Sequence, residues 1–172
     1  MNSRPINPFI SLLSAIGLLL LSLASSASAA GLATMDGKAA KVADYLGDGK
    51  WTVVMFWSSD CHVCHLKAPE YVAFQEKHKA GNIRLLGLTL DGKDNKDAAQ
   101  GFIDEHKLNF PNLIGEPEDV AGFYYDNTGN YFVGTPTFMI YNPDGKVRAA
   151  DAGAIPVSII EDFITEQEAA SL

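Results

Sequence analysis

With 172 residues, 47% of them hydrophobic and 20% charged, the chain is long enough for one domain with a real core and too apolar for a disordered one. A formal net charge of −8 without any clustered basic stretch excludes a nucleic-acid groove and points to a soluble, acidic surface. The two cysteines, Cys61 and Cys64, lie too close together to brace a fold, because the stabilisation from a disulfide grows with the loop it closes.

The first segment is a separate object. Phe9–Leu23 is apolar apart from three serines and one glycine, and Ala24–Ala30 is a run of small residues containing Ala27-Ser28-Ala29, an A-x-A cleavage pattern. As a helix, Phe9–Leu23 would be roughly 22 Å long, short of a roughly 30 Å hydrocarbon core. Residues 1–29 therefore read as a cleaved secretory signal rather than an uncleaved membrane anchor, and residues 30–172 as one domain. The expected location is outside the cytoplasm, in a bacterial periplasm. In such an oxidising compartment, a cysteine pair that does not brace the fold is there for chemistry.

Gly31–Leu46 is short and mixed, with turns at Asp36-Gly37 and Gly47-Asp48-Gly49. Trp51–Trp57 is an apolar, β-branched and aromatic run that reads as a buried central strand. Ser58-Ser59-Asp60 offers N-cap side chains, with Asp60 the expected cap, for a helix from about Cys61 to Lys79. Pro69 falls inside that helix and is expected to kink it. Ile83–Leu90 is a second buried strand. Asn95–Lys107 is an amphipathic helix with Ala98, Ala99, Phe102 and Ile103 on its apolar face. Phe110–Ile114 is a short strand and Glu116–Tyr125 a helix begun by Pro117. Asp126–Phe132 reads as a polar loop anchored by the aromatic run before it. Thr137–Tyr141 and Lys146–Ala150 form a hairpin about Asn142-Pro143-Asp144-Gly145, and a last helix runs from Pro156 to Glu168 with Val157, Ile160, Phe163 and Ile164 inward. The order implies an α/β fold, a mixed central sheet with helices on both faces.

The chemistry sits at Cys61-His62-Val63-Cys64, where the first buried strand meets the first helix. Unpaired N–H groups and the dipole at a helix start favour an anion, here a thiolate. Cys61 is expected to be the exposed nucleophile and Cys64, one turn inside, the residue that resolves a mixed disulfide. His62 and His65 are the nearest groups able to move a proton near neutral pH; His78 and His106 read as surface positions.

The chain resembles the thioredoxin superfamily, and within it the exported TlpA/ResA-like branch, from about Met35 to the end. The matching words are Val53–Trp57 before the pair, Pro69 five residues after Cys64, Gly134-Thr135-Pro136-Thr137-Phe138, and Asn142-Pro143-Asp144-Gly145-Lys146. The resemblance implies a cis-Pro136 against the cysteines, a Thr135 backbone that pairs with substrate, and a site shaped by Trp57 and Pro69. It implies exported protein substrates bearing disulfides or thiols, a membrane electron donor, a reductant's role and no cofactor beyond the dithiol; a monomer without a resident metal is expected. The chain departs from the family's pattern in three places. Asp60 stands where a Trp usually precedes the first cysteine, and Met55 where thioredoxins carry a buried Asp. Lys67 stands where TlpA-like chains often carry Glu, and a cation there would favour a thiolate rather than take its proton. The Asp126–Phe132 loop is longer than is typical of the branch and is expected to shape partner choice.

Two other readings compete. Cys61–His65 fits C-x-x-C-H, the haem-attachment spacing, but haem binding needs none of the other thioredoxin-like words. The two thiols could instead hold Cu(I) in a metal carrier or metallochaperone. Stoichiometric Cu(I) binding without turnover would mark that alternative.

Overall fold

The computed structural model describes residues 31–170. The expected signal, residues 1–29, lies outside them. The sheet has six strands in the order β1-β4-β3-β2-β5-β6. These are β1 (Ala33–Thr34), β2 (Trp51–Trp57), β3 (Ile83–Thr89), β4 (Asn112–Ile114), β5 (Thr137–Tyr141) and β6 (Val147–Ala152). The helices are α1 (His62–His78), α2 (Lys96–His106), α3 (Pro117–Thr128) and α4 (Val157–Ala169), with short 3₁₀ turns at Val42–Tyr45 and Lys93–Asn95. Strand β2 runs parallel to β3 and antiparallel to β5, and β3 runs parallel to β4, so the sheet is mixed. The antiparallel edge strand β1 was not expected; two residues are too few to carry a period.

Every residue of β2 is buried, and its alternation divides the core. Trp51, Val53, Met55 and Trp57 enter one cluster with Cys64, Ala68, Tyr71 and Phe74 of α1, Phe102 of α2, and Ile160 and Ile164 of α4. Val54 and Phe56 enter the other, with Val120 and Tyr124 of α3. Burying each such large side chain contributes about 1.5–3 kcal/mol. Helices thus cover both faces, three on the side of the cysteines and one opposite. On α2, Ala99 and Phe102 are buried and Ile103 half-buried, while Ala98, expected on that face, is exposed.

Helix α1 continues through Pro69 to His78, and Pro69 is exposed. A proline facing solvent loses one helical hydrogen bond without taking a packing position. Two side chains tie α1 to the start of α4. Tyr71 donates its hydroxyl to the Ile155 carbonyl at 2.9 Å. Glu70 accepts from the Val157 N–H at 3.0 Å and from Lys67 Nζ at 2.9 Å. The Val157 N–H, then Lys67, hold the Glu70 carboxyl below its ordinary 4.5. His78, expected at the surface, instead tucks under α4 and bonds Glu161 at 2.7 Å, with its side chain 18% exposed.

Helix α3 runs three residues past its expected end, to Thr128. Asn127 and Thr128 return their side chains to the carbonyls of Phe123 and Tyr124, and Gly129 closes the helix at φ 72°. Three of the seven residues of the expected Asp126–Phe132 loop are therefore helix. The turn-forming composition of Asp-Asn-Thr-Gly-Asn concealed a helix end whose polar side chains bond back along the helix.

Gly87 shows how closely β3 is packed. A Cβ there would lie 1.8 Å from Asn112 Oδ1 and 2.9 Å from Trp57 Nε1, the two atoms that bond each other at 3.1 Å. Gly87→Ala is expected to cost about 1–3 kcal/mol, because the Trp57–Asn112 pair must separate; urea unfolding measures it, and an unchanged midpoint would refute the packing argument. Glu70 generates a pH prediction. Its folded pKa is depressed, so its stabilisation is present above the unfolded value and is lost as pH falls through the folded one. The stability gap between the wild type and Glu70→Gln is therefore expected to be larger at about pH 7 than in acid, where it narrows as the carboxyl takes up its proton, read from urea unfolding at both.

Candidate active site

The cysteines are joined in a disulfide with their Cα atoms 5.2 Å apart. Cys61 is itself the N-cap of α1: its Sγ accepts the Cys64 N–H at 3.1 Å, and its carbonyl accepts the His65 N–H at 3.1 Å. The sulfur thus holds the place an anion takes at a helix start. This corrects the expectation for Asp60, which does not cap. Its carboxylate takes the Ser58 hydroxyl at 2.6 Å, and the side chain stays exposed. Cys61 is 9% exposed and Cys64 fully buried. The order of access is the expected one, but Cys61 offers only a sliver of surface rather than an open thiol.

The turn before Cys61 is held from β3. Asp91, just past that strand, accepts the Ser59 N–H with both oxygens at 3.0 Å and the Ser59 hydroxyl at 2.7 Å. It also accepts the Thr89 hydroxyl. Bonds to an ionised acceptor are worth about 1.5–3 kcal/mol each. Asp91 was missed in the sequence, where Asp91-Gly92 reads only as a turn. The Ser59 carbonyl in turn takes His65 Nε2–H at 2.9 Å. His65 Nδ1 is then an acceptor, and it meets His106 Nε2 of α2 at 2.7 Å. His106, expected at the surface, has its side chain only 12% exposed.

The Thr135–Pro136 peptide bond is cis, and Pro136 is buried. Thr135 Oγ1 lies 3.4 Å from Ser58 Oγ, which brings this segment against the turn that leads to Cys61. The Pro136 carbonyl accepts the Gly153 N–H at 2.8 Å, whereas the Thr135 N–H and carbonyl pair with no other backbone group among the described residues. Trp57 is fully buried, donates to Asn112 at 3.1 Å and stacks on Phe102 with centroids 4.5 Å apart. It supports the site from beneath and does not line it. His62 is exposed on the first turn of α1. Lys67 is committed to Glu70, and no described bond joins it to either sulfur. Pro69 faces solvent on the same helix.

Several large apolar side chains remain exposed around these segments: Val63 and Leu66 on α1, and Tyr131 and Val133 before the cis-proline, Tyr131 and Val133 being 82% and 79% exposed. Phe132 between them anchors the loop against Phe56 and Tyr124, with centroids 5.7 and 5.6 Å apart. A groove of about 1050 Å³ lies elsewhere, lined by Leu32, Val42, Ile114 and Phe123, and contains neither cysteine.

Comparison with known proteins agrees with this geometry. The AhpC/TSA family model matches residues 24–150. The chain is 27% identical over 130 residues to the thiol-disulfide oxidoreductase ResA of Bacillus subtilis, covering 75% of this chain and 66% of ResA. It is 22% identical over 119 residues to the sporulation thiol-disulfide oxidoreductase A of the same organism, covering 69% of this chain and 68% of the relative. Among solved structures, a thiol:disulfide interchange protein of the thioredoxin family from Chlorobium tepidum superposes with a TM-score of 0.63 at 20% identity, over 77% of this chain and 88% of that one. The fold is therefore thioredoxin-like, and the chain belongs to the AhpC/TSA family, with Cys61 and Cys64 as its cysteine pair.

Proposed function

We propose that the protein is an exported thiol–disulfide oxidoreductase that reduces disulfides in other exported proteins. The observation that carries this reading is the pair itself, a disulfide at a helix start whose first sulfur caps the helix and keeps the only access. In the reduced protein, the Cys61 thiolate attacks a substrate disulfide, releasing one substrate thiolate and forming a mixed disulfide. Cys64 then attacks Cys61 Sγ, releases the second substrate thiol and leaves the Cys61–Cys64 disulfide. Two electrons pass through the dithiol, so no bound cofactor is required. A donor, membrane-embedded in the reading of the resemblance, must re-reduce the pair. Exposed His62, beside Cys61, is available to exchange protons with the attacking thiol.

Substrate would lie along the cis-proline segment. The unpaired Thr135 N–H and carbonyl offer a short edge for an extended peptide, beside Pro136. Val63, Leu66, Tyr131 and Val133 supply apolar area for a protein partner, and the 129–133 segment sets partner preference. Similarity to two thiol-disulfide oxidoreductases favours exchange over Cu(I) carriage by these thiols.

Cys64→Ser is expected to trap a mixed disulfide with an exported partner, and Cys61→Ser to trap none. Non-reducing gels of whole-cell extracts read this directly; equal trapping by both would overturn the roles. In the Cys64→Ser background, adding Tyr131→Ser and Val133→Ser should reduce the trapped adduct while leaving exchange with a small disulfide intact. The direction of transfer is tested by the reduction potential in dithiothreitol buffers. A value near the thioredoxin figure of about −270 mV is expected, and one near the DsbA figure of about −120 mV would make the protein an oxidant.

A further inference from the structure

We propose that His65, Glu105 and His106 form a binding site for a divalent transition-metal ion of the zinc type, independent of the cysteine chemistry. One donor atom from each side chain lies within 4.8 Å of the others, and no other three such side chains converge in this way among the described residues. His65 Nδ1 and His106 Nε2 are 2.7 Å apart, and the Glu105 carboxylate stands 3.9 Å from each of them.

The surroundings of His65 resemble those of a bound imidazole. A metal-ligating histidine commonly donates its other ring N–H to a backbone carbonyl or a carboxylate, which fixes the tautomer and aims the free lone pair. Here His65 Nε2–H is bonded to the Ser59 carbonyl at 2.9 Å, and Ser59 is itself clamped by Asp91 through its N–H and hydroxyl. The Nδ1 lone pair therefore points at His106 whether or not an ion is bound. Phe102 packs on both imidazoles, with centroids 4.7 and 4.6 Å away, and limits their ring rotation.

The ion would replace the hydrogen bond between the rings. His106 would adopt the tautomer with its proton on Nδ1 and present the Nε2 lone pair. Zinc–nitrogen distances of about 2.0–2.1 Å at a tetrahedral angle require the nitrogens to be roughly 3.3 Å apart, so the rings must part by roughly 0.6 Å. The Glu105 side chain is 64% exposed and free to swing in as the third ligand. Two neutral imidazoles and one carboxylate leave a fourth position for water, the donor set of an open zinc site. The ion would staple the first turn of α1 to the last turn of α2, one turn behind Cys61, whose carbonyl takes the His65 N–H.

The test uses untagged protein with its disulfide intact, so that the thiols cannot bind. Wild type is expected to bind Zn²⁺ at a stoichiometry of about one by titration calorimetry, to give the visible bands of tetrahedral Co²⁺, and to gain thermal stability with Zn²⁺. His106→Ala and His65→Ala should each lower Zn²⁺ affinity at least about tenfold and abolish the Co²⁺ bands. Glu105→Gln, a near-isosteric change at an exposed position, should lower the affinity by about tenfold and serves as the control should a histidine variant misfold. The absence of saturable Zn²⁺ binding by wild type, or affinity unchanged in Glu105→Gln and His106→Ala, would overturn the proposal.

Discussion

The structure depends on the burial of one strand on both faces. Strand β2 is paired on both edges and covered on both sides, so its direction and its end are set by the whole sheet. The chain leaves Trp57 at a point where it cannot wander, and within four residues it must begin a helix that covers the face Trp57 occupies. The cysteines are at that corner because there the backbone N–H groups of a helix start meet a rigid sheet. A thiol placed on a surface loop would lack both the electrostatic environment and the fixed geometry that disulfide exchange uses.

The corner is then secured from three directions. Asp91 grips Ser59 from β3, Thr135 meets Ser58 from the cis-proline segment, and His65 reaches back to the Ser59 carbonyl from α1. Each bond comes from a different element, so the turn before Cys61 is determined redundantly. Redundant support of this kind keeps a reactive pair within the tolerance that chemistry demands. Behind it, the stack of Trp57 on Phe102 carries the two histidines, and the Trp57–Asn112 bond carries Trp57. The space at Gly87 is the condition for that arrangement.

The two sides of the sheet divide the work. The face bearing α1, α2 and α4 holds the cysteines, the histidines and the Glu70 link between α1 and α4. The opposite face holds the aromatic group of Phe56, Tyr124 and Phe132, which anchors the segment leading to the cis-proline. The exposed apolar residues before Pro136 are thus presented on a stiff mount rather than on a free loop.

Much of this was legible in the sequence by itself. The apolar run Trp51–Trp57, the cysteines just after it, the second run Ile83–Leu90, the Asn-Pro-Asp-Gly hairpin and the helix begun by Pro117 are local patterns, and local patterns survive folding. What the tertiary structure alone decided is which polar groups find each other. Asp60 carries the signature of a cap, yet the cap is the Cys61 sulfur, because a neighbouring hydroxyl claims the carboxylate. Lys67 is drawn to Glu70, Asp91 to Ser59 and His106 to His65, partners that in two cases are 32 and 41 residues apart. Hydrogen bonds between distant residues leave no period and no spacing in the chain. They follow only from the packing that brings the elements together, so composition and periodicity determined the fold and the reactive pair, while the packed sheet decided what surrounds them.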